Sequence, residues 1–155
     1  MKPIRNSVKA VLIEEGKLLV TCNKDANGEF YLLPGGGQRP GETFLQALER
    51  ECLEEVGAKI VIEEILLIRE YISAHHEFAD TDGDVHQIEF MFRCTLNDGE
   101  RPRIGSVPDI WQTGIAWLPI DRLEEYRLYP AAIVELLQRL ARGEEVGPCY
   151  LGDVN

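Results

Sequence analysis

Glu51, Glu54 and Glu55 stand at i, i+3 and i+4 in a stretch, residues 43–57, that follows a glycine-rich turn and ends in Gly57. At about 3.6 residues per helical turn, three side chains with this spacing fall within roughly 100° of circumference. Like charges on one face repel, each such pair by about a few tenths of a kcal/mol in an isolated helix, so the pattern calls for a compensating charge. A hard divalent cation supplies it. Mg²⁺ takes oxygen ligands, keeps several waters and is commonly shared between carboxylates and the phosphates of a substrate. In the same half of the helix Cys52, Leu53 and Val56 are expected to point to another side and pack inward, which leaves the acids to face a cleft.

The elements that must position these acids are readable in outline. Residues 8–13 and 18–22 are β-prone runs on either side of Glu14-Glu15-Gly16-Lys17, a hairpin signal. A polar loop is expected over residues 23–29 and a short strand over 30–33, which Pro34 and three glycines then end. Gly35 and Gly36 allow backbone carbonyls to come close to a ligand. Thr43, with Glu42 just before it, is expected to cap the helix and Gly57 to terminate it.

Residues 59–72 read as one strand or two joined by a bulge, and residues 73–84, rich in His and Asp, read as a mobile loop. A strand over 85–96 ends at Asn97-Asp98-Gly99. Residues 101–113 look irregular, 114–118 form a short strand, and Pro119-Ile120-Asp121 opens a brief helix. From Pro130 a last helix keeps Ile133, Leu136, Leu137 and Leu140 on one stripe up to Gly143, and residues 144–155 read as a tail. Strands, helix, strands, helix is the order of an α+β or α/β sandwich.

A chain of 155 residues suits a single domain, 1–155, with a core that needs no staples. Its formal net charge of −11, with no run of Lys or Arg, argues against a nucleic-acid polymer or an anionic membrane as partner. A phosphate-rich small molecule is compatible, because a bound cation neutralises it locally. Cys22, Cys52, Cys94 and Cys149 are too far apart for a zinc pair and read as free thiols in a reducing compartment. The first apolar stretch is interrupted by Glu14 and Glu15, too short to span a bilayer and without a cleavage site, so a cytoplasmic location is expected. A homodimer is left open.

Residues 36–58 resemble the signature of the Nudix hydrolase superfamily, whose MutT-like members share its spacing: Gly36, Glu42, Arg50-Glu51, Glu54-Glu55 and Gly57 are all in register. The approach Tyr31-Leu32-Leu33-Pro34-Gly35-Gly36 is similar as well. Cys52 and Ala58 are smaller than the usual apolar residues at their positions, a departure that touches core packing more than chemistry. The resemblance covers 23 residues with seven fixed identities.

The resemblance implies a mixed β-sheet held between helices, an α/β/α sandwich with the signature beside the cleft. It implies that Glu51, Glu54, Glu55 and the Gly35 carbonyl bind Mg²⁺ or Mn²⁺, and that Glu42 and Arg50 pair to hold Glu51 in orientation. The implied reaction is hydrolysis of a phosphoanhydride in a nucleoside diphosphate linked to another moiety, with a glutamate taking a proton from water. Glu51 is the first choice for that base. Many relatives place an acid just ahead of the tryptophan that Trp117 matches, but this chain has Gln112-Thr113-Gly114-Ile115-Ala116 there. Glu89 or an acid of residues 73–84 is then the substitute. Tyr31, Phe78 and Trp111 are candidates to stack on a nucleobase and Arg39 to meet phosphate. The contrasting reading is a non-catalytic nucleotide sensor with the same fold, against which the full set of signature glutamates argues; a third, an isoprenoid diphosphate isomerase, lacks a suitably placed cysteine.

Overall fold

The computed structural model describes residues 2–155. Strand β1 (Arg5–Glu14) turns back through Glu15 and Gly16 into β2 (Lys17–Asp25), with Ile13 opposite Leu18 and Glu14 opposite Lys17, the hairpin expected there. The polar loop expected over 23–29 shrinks to Ala26 and Asn27, because β2 runs on to Asp25 and β3 (Gly28–Leu32) begins at once. Asp25 makes this tight turn self-sufficient: its carboxylate accepts the Asn27 N–H at 2.8 Å, a side chain closing its own backbone turn.

The chain continues through β4 (Gly35–Gly37), α1 (Phe44–Val56), β5 (Ile60–Ile72), α2 (Ala79–Asp82), β6 (His86–Leu96), β7 (Gln112–Pro119), β8 (Leu128–Tyr129), α3 (Val134–Ala141) and β9 (Cys149–Asp153). Strand order is β8-β3-β2-β1-β6-β5-β9, with β4 added on β1 and β7 on β2. β1 pairs in parallel with β6 along Arg5 to Leu12, while its other edge is divided between β4, at Ser7 to Lys9, and β2, at Ile13 and Glu14. The sheet therefore parts into two halves that share β1, and the glycine turn enters at the parting.

Two cores flank the sheet, as an α/β/α sandwich requires. On one face Ala47, Leu48, Cys52 and Val56 of α1 pack on Val8, Ala10, Leu12, Leu19, Phe92 and Cys94. On the other, Leu137 and Leu140 of α3, with Ile133, cover Val11, Leu18, Val20, Met91 and Leu118. Cys52 fills its place as a small apolar residue, 1% exposed. Leu53, expected inward, is instead 44% exposed, since one residue beyond Cys52 rotates about 100° off the buried stripe.

Two segments differ from expectation. Residues 73–84, expected as a loop, contain short helical turns: residues 73–75 form a 3₁₀ turn, Ala79–Asp82 a single helical turn, and the Tyr71 hydroxyl donates to Asp82 at 2.6 Å. His75 and His76 both meet Asp153, at 2.6 and 2.7 Å. Residues 144–155 are not a tail, because β9 lies parallel to the free edge of β5, with Leu67 opposite Cys149 and Ile68 opposite Tyr150. An open sheet edge and a short apolar strand satisfy each other's backbone groups. No described helix is long and apolar enough to cross a membrane.

Candidate active site

The site is built where α1 meets the glycine turn. Gly35 has φ of 139°, and a Cβ there would lie 2.0 Å from the Val8 carbonyl oxygen, so only glycine lets the turn sit this close to β1. Its N–H donates to Glu55 Oε2 at 3.0 Å. A Cβ on Gly36 would come within 2.7 Å of the Glu51 carboxylate, which shows how tightly that acid lies on the turn. α1 itself is set by a reciprocal cap: Thr43 Oγ1 accepts the Gln46 N–H at 3.2 Å and Gln46 Oε1 accepts the Thr43 N–H at 2.9 Å. Gly57, in the left-handed region, closes the other end.

Arg50 is the hub of the upper half. Nε and Nη2 donate to the two oxygens of Glu42 at 2.6 and 2.9 Å, a bidentate pair, and Nη2 also reaches the Gly37 carbonyl at 3.0 Å. Nη1 donates to Glu51 at 2.8 Å and to Glu54 at 3.2 Å. The hydrogen bonds from Arg50, helped by the Arg39 N–H, hold the Glu42 carboxyl down at about 2. Arg39 approaches the other oxygen of Glu54 at 3.7 Å.

Glu55 is different. It is 7% exposed, and burial pushes its carboxyl up to about 7 against the opposing pull of Lys9 and the Gly35 N–H, with Glu51 and Asp109 adding repulsion. Its elevation comes first from burial. Glu89 is buried more deeply, at 3%, yet Arg69 Nε donates to it at 2.5 Å and Gln87 Nε2 to its second oxygen at 2.9 Å. Burial opposes its ionisation, but the charges of Arg69 and Lys9 with these hydrogen bonds prevail, and its carboxyl stays below the usual range.

Of the residues singled out in the sequence, the fold gathers Gly35, Arg50, Glu51, Glu54 and Glu55 at the turn. Arg39, exposed, reaches this group through Glu54. Trp111 is 59% exposed in the stretch that carries Asp109, whose charge reaches Glu55. Phe78 and Tyr31 do not share a platform. Phe78 stands edge-on to Tyr129 at 5.1 Å, whereas Tyr31 packs edge-on to Tyr126 at 5.7 Å against the α3-side core. The sequence reading missed Lys9, Arg69 and Asp109; the first two carried a signal, since each is a lone cation inside an apolar β run. Gln112, in the stretch noted for its missing acid, donates to the Glu55 carbonyl at 2.8 Å. A recess lined by Leu53, Gly57, Arg103 and Ile104 opens elsewhere on α1 and holds none of the carboxylates.

Among the described residues no three His, Cys, Asp or Glu side chains converge as a ready-made metal cage, and Arg50 Nη1 occupies Glu51 and Glu54. The donor set nonetheless suits Mg²⁺ or Mn²⁺. It consists of hard oxygens alone, carboxylates and one carbonyl, with Glu55 and Glu51 both set against the glycine turn.

The sequence matches the NUDIX domain family over residues 3–140. The chain belongs to the Nudix family. This Nudix domain is 27% identical over 136 residues to the nucleoside triphosphatase NudI of Salmonella arizonae, across 81% of this chain and 86% of that protein. Its fold is similar to that of a NUDIX hydrolase from Nitrosomonas europaea, with a TM-score of 0.71 at 20% identity over 94% of each chain. It is also similar to a UDP-X diphosphatase, with a TM-score of 0.69 at 20% identity over 99% of this chain and 68% of the other. The Nudix domain is a hydrolase of the pyrophosphohydrolase type, acting on small molecules.

Proposed function

We propose that this Nudix domain, as one unit over 1–155, hydrolyses a phosphoanhydride bond in a nucleoside diphosphate linked to a further moiety: a nucleotide, a nucleotide sugar or a dinucleoside polyphosphate. The reaction depends on Mg²⁺, with Mn²⁺ as a substitute. One observation carries the reading: Glu55 bonded to the Gly35 N–H and Glu51 pressed on Gly36 put two acids and a carbonyl around one turn. The nucleoside triphosphatase activity in the name of NudI supports a nucleotide as the substrate class.

Glu51, Glu54, Glu55 and the Gly35 carbonyl would hold the ion, which would neutralise phosphoryl oxygens and acidify water. Arg50 keeps Glu51 and Glu54 aimed through its two bonds from Nη1. Glu51 takes the proton as water attacks phosphorus; the bridging P–O bond breaks, and the bridging oxygen leaves with the second phosphorylated product. Glu89, with a donor on each oxygen, serves as fixed negative charge and is the weaker choice of base. Trp111 and Phe78 are the stacking surfaces and Arg39 the phosphate contact, while Tyr31 packs against Tyr126.

A panel of nucleotide, sugar-nucleotide and dinucleoside polyphosphate substrates with Mg²⁺, Mn²⁺ or chelator, followed by product identification, tests the reading. Cleavage that chelator abolishes is expected, with Glu51→Gln slower by about 10³-fold and Glu89→Gln by about tenfold. Tight binding of a panel member with no turnover would instead mark a sensor, and a larger loss at Glu89 would move the base there.

A further inference from the structure

Strand β1 is apolar at its centre apart from one residue. Val8, Ala10, Val11 and Leu12 are at most 1% exposed, and Lys9 stands among them, half-buried. Long cations are rarely drawn inward without a partner. Lys9 Nζ donates to the Gly35 carbonyl oxygen at 3.2 Å. The same residue gives its N–H to Glu55, so a carboxylate and an ammonium hold Gly35 from its two ends. The ammonium also acts on two buried acids on different elements, favouring the ionised forms of Glu55 on α1 and Glu89 on β6. A single positive charge thus serves a carbonyl and two carboxylates where the proposed function needs a divalent ion.

We propose that Lys9 is a tethered cation of the metal site: it holds the Gly35 carbonyl while no divalent ion is bound, and turns to the phosphoryl oxygens of a diphosphate once that carbonyl ligates metal. The inference rests on the function proposed above. A bound divalent ion repels the ammonium off the carbonyl, whereas the diphosphate's negative oxygens attract it, and a stem of four methylenes allows the short swing. Lys9 is therefore a residue with opposite effects on the two ligands of one site. A merely structural lysine has no such split.

The test compares wild type with Lys9→Met, which keeps the apolar stem, and Lys9→Gln, which keeps polarity, in case the first variant folds poorly. Mn²⁺ affinity without substrate is read by electron paramagnetic resonance, and affinity for methylenediphosphonate in saturating Mg²⁺ by calorimetry. Removing the charge is expected to tighten Mn²⁺ by about tenfold and weaken the diphosphonate by about tenfold. Lys9→Arg should keep the wild-type order of both. Unchanged or weaker Mn²⁺ binding in both neutral variants overturns the proposal, as does a loss of both ligands together. If wild type hydrolyses anhydrides and the variants show no split, only the role of Lys9 falls. A split in an enzyme that cleaves nothing leaves Lys9 standing and removes the hydrolase reading.

Discussion

Two groups of acids on the same signature are treated in opposite ways. Around Arg50, Glu42, Glu51 and Glu54 share five donor contacts with one guanidinium and the Arg39 N–H, and Glu42 is held at about 2. A turn further on, Glu55 has one N–H and a half-buried lysine for company, and stands at about 7. Arg50 saturates Glu42 and orients Glu51 and Glu54. Glu55, raised chiefly by its burial, is the acid on which the proposed metal site depends most.

The largest effect should come from the Glu55 side. Glu55→Gln keeps an acceptor for the Gly35 N–H and removes the charge; Mn²⁺ affinity by calorimetry is expected to fall about 100-fold and turnover about 10³-fold. The same variant should raise the metal-free melting temperature at pH 8 by about 3 °C, since an ionised buried acid is lost. A fall in melting temperature would place Glu55 with the acids around Arg50 instead.

The Arg50 side should fail in the other manner. Arg50→Gln leaves three acids without their common partner, so the melting temperature should drop by about 5 °C and turnover by about 10²-fold, with Mn²⁺ binding the less affected quantity. Calorimetry beside thermal scans separates the two variants.

The smallest effect is one of pH. The Glu55 carboxyl is raised, so its protonated form favours the metal-free fold; that contribution is full below the ordinary glutamate value and disappears as pH rises through about 7. The ion needs the carboxylate, so apparent Mn²⁺ affinity should weaken by about tenfold per unit below pH 7 and level off above it. The Glu42 carboxyl is depressed, so its contribution is present above the ordinary value and lost only as pH falls through about 2. Between pH 5 and 8 it should leave no trace. An affinity flat across pH 6 to 8 would break the contrast.

Local signals made much of this legible. Thr43 and Gly57 bracket α1 where capping chemistry places them, and Glu14 to Lys17 turns the first hairpin. The resemblance implied the Glu42–Arg50 pair, and the structure forms it as a fork against the carboxylate. What the sequence hid is non-local. β9 forms because β5 has an open edge, and Asp153, 77 residues beyond His76, meets that side chain. The meeting of Lys9 with Gly35 follows from the register of β1 against β4 rather than from helical spacing.

The most direct measurement is anomalous diffraction from a crystal soaked in Mn²⁺ with methylenediphosphonate. The account predicts a peak in coordination contact with the Gly35 carbonyl, Glu51 and Glu55, and the Lys9 ammonium moved from that carbonyl toward the diphosphonate. A peak on solvent-facing acids away from the glycine turn, or none at saturating Mn²⁺, would contradict it.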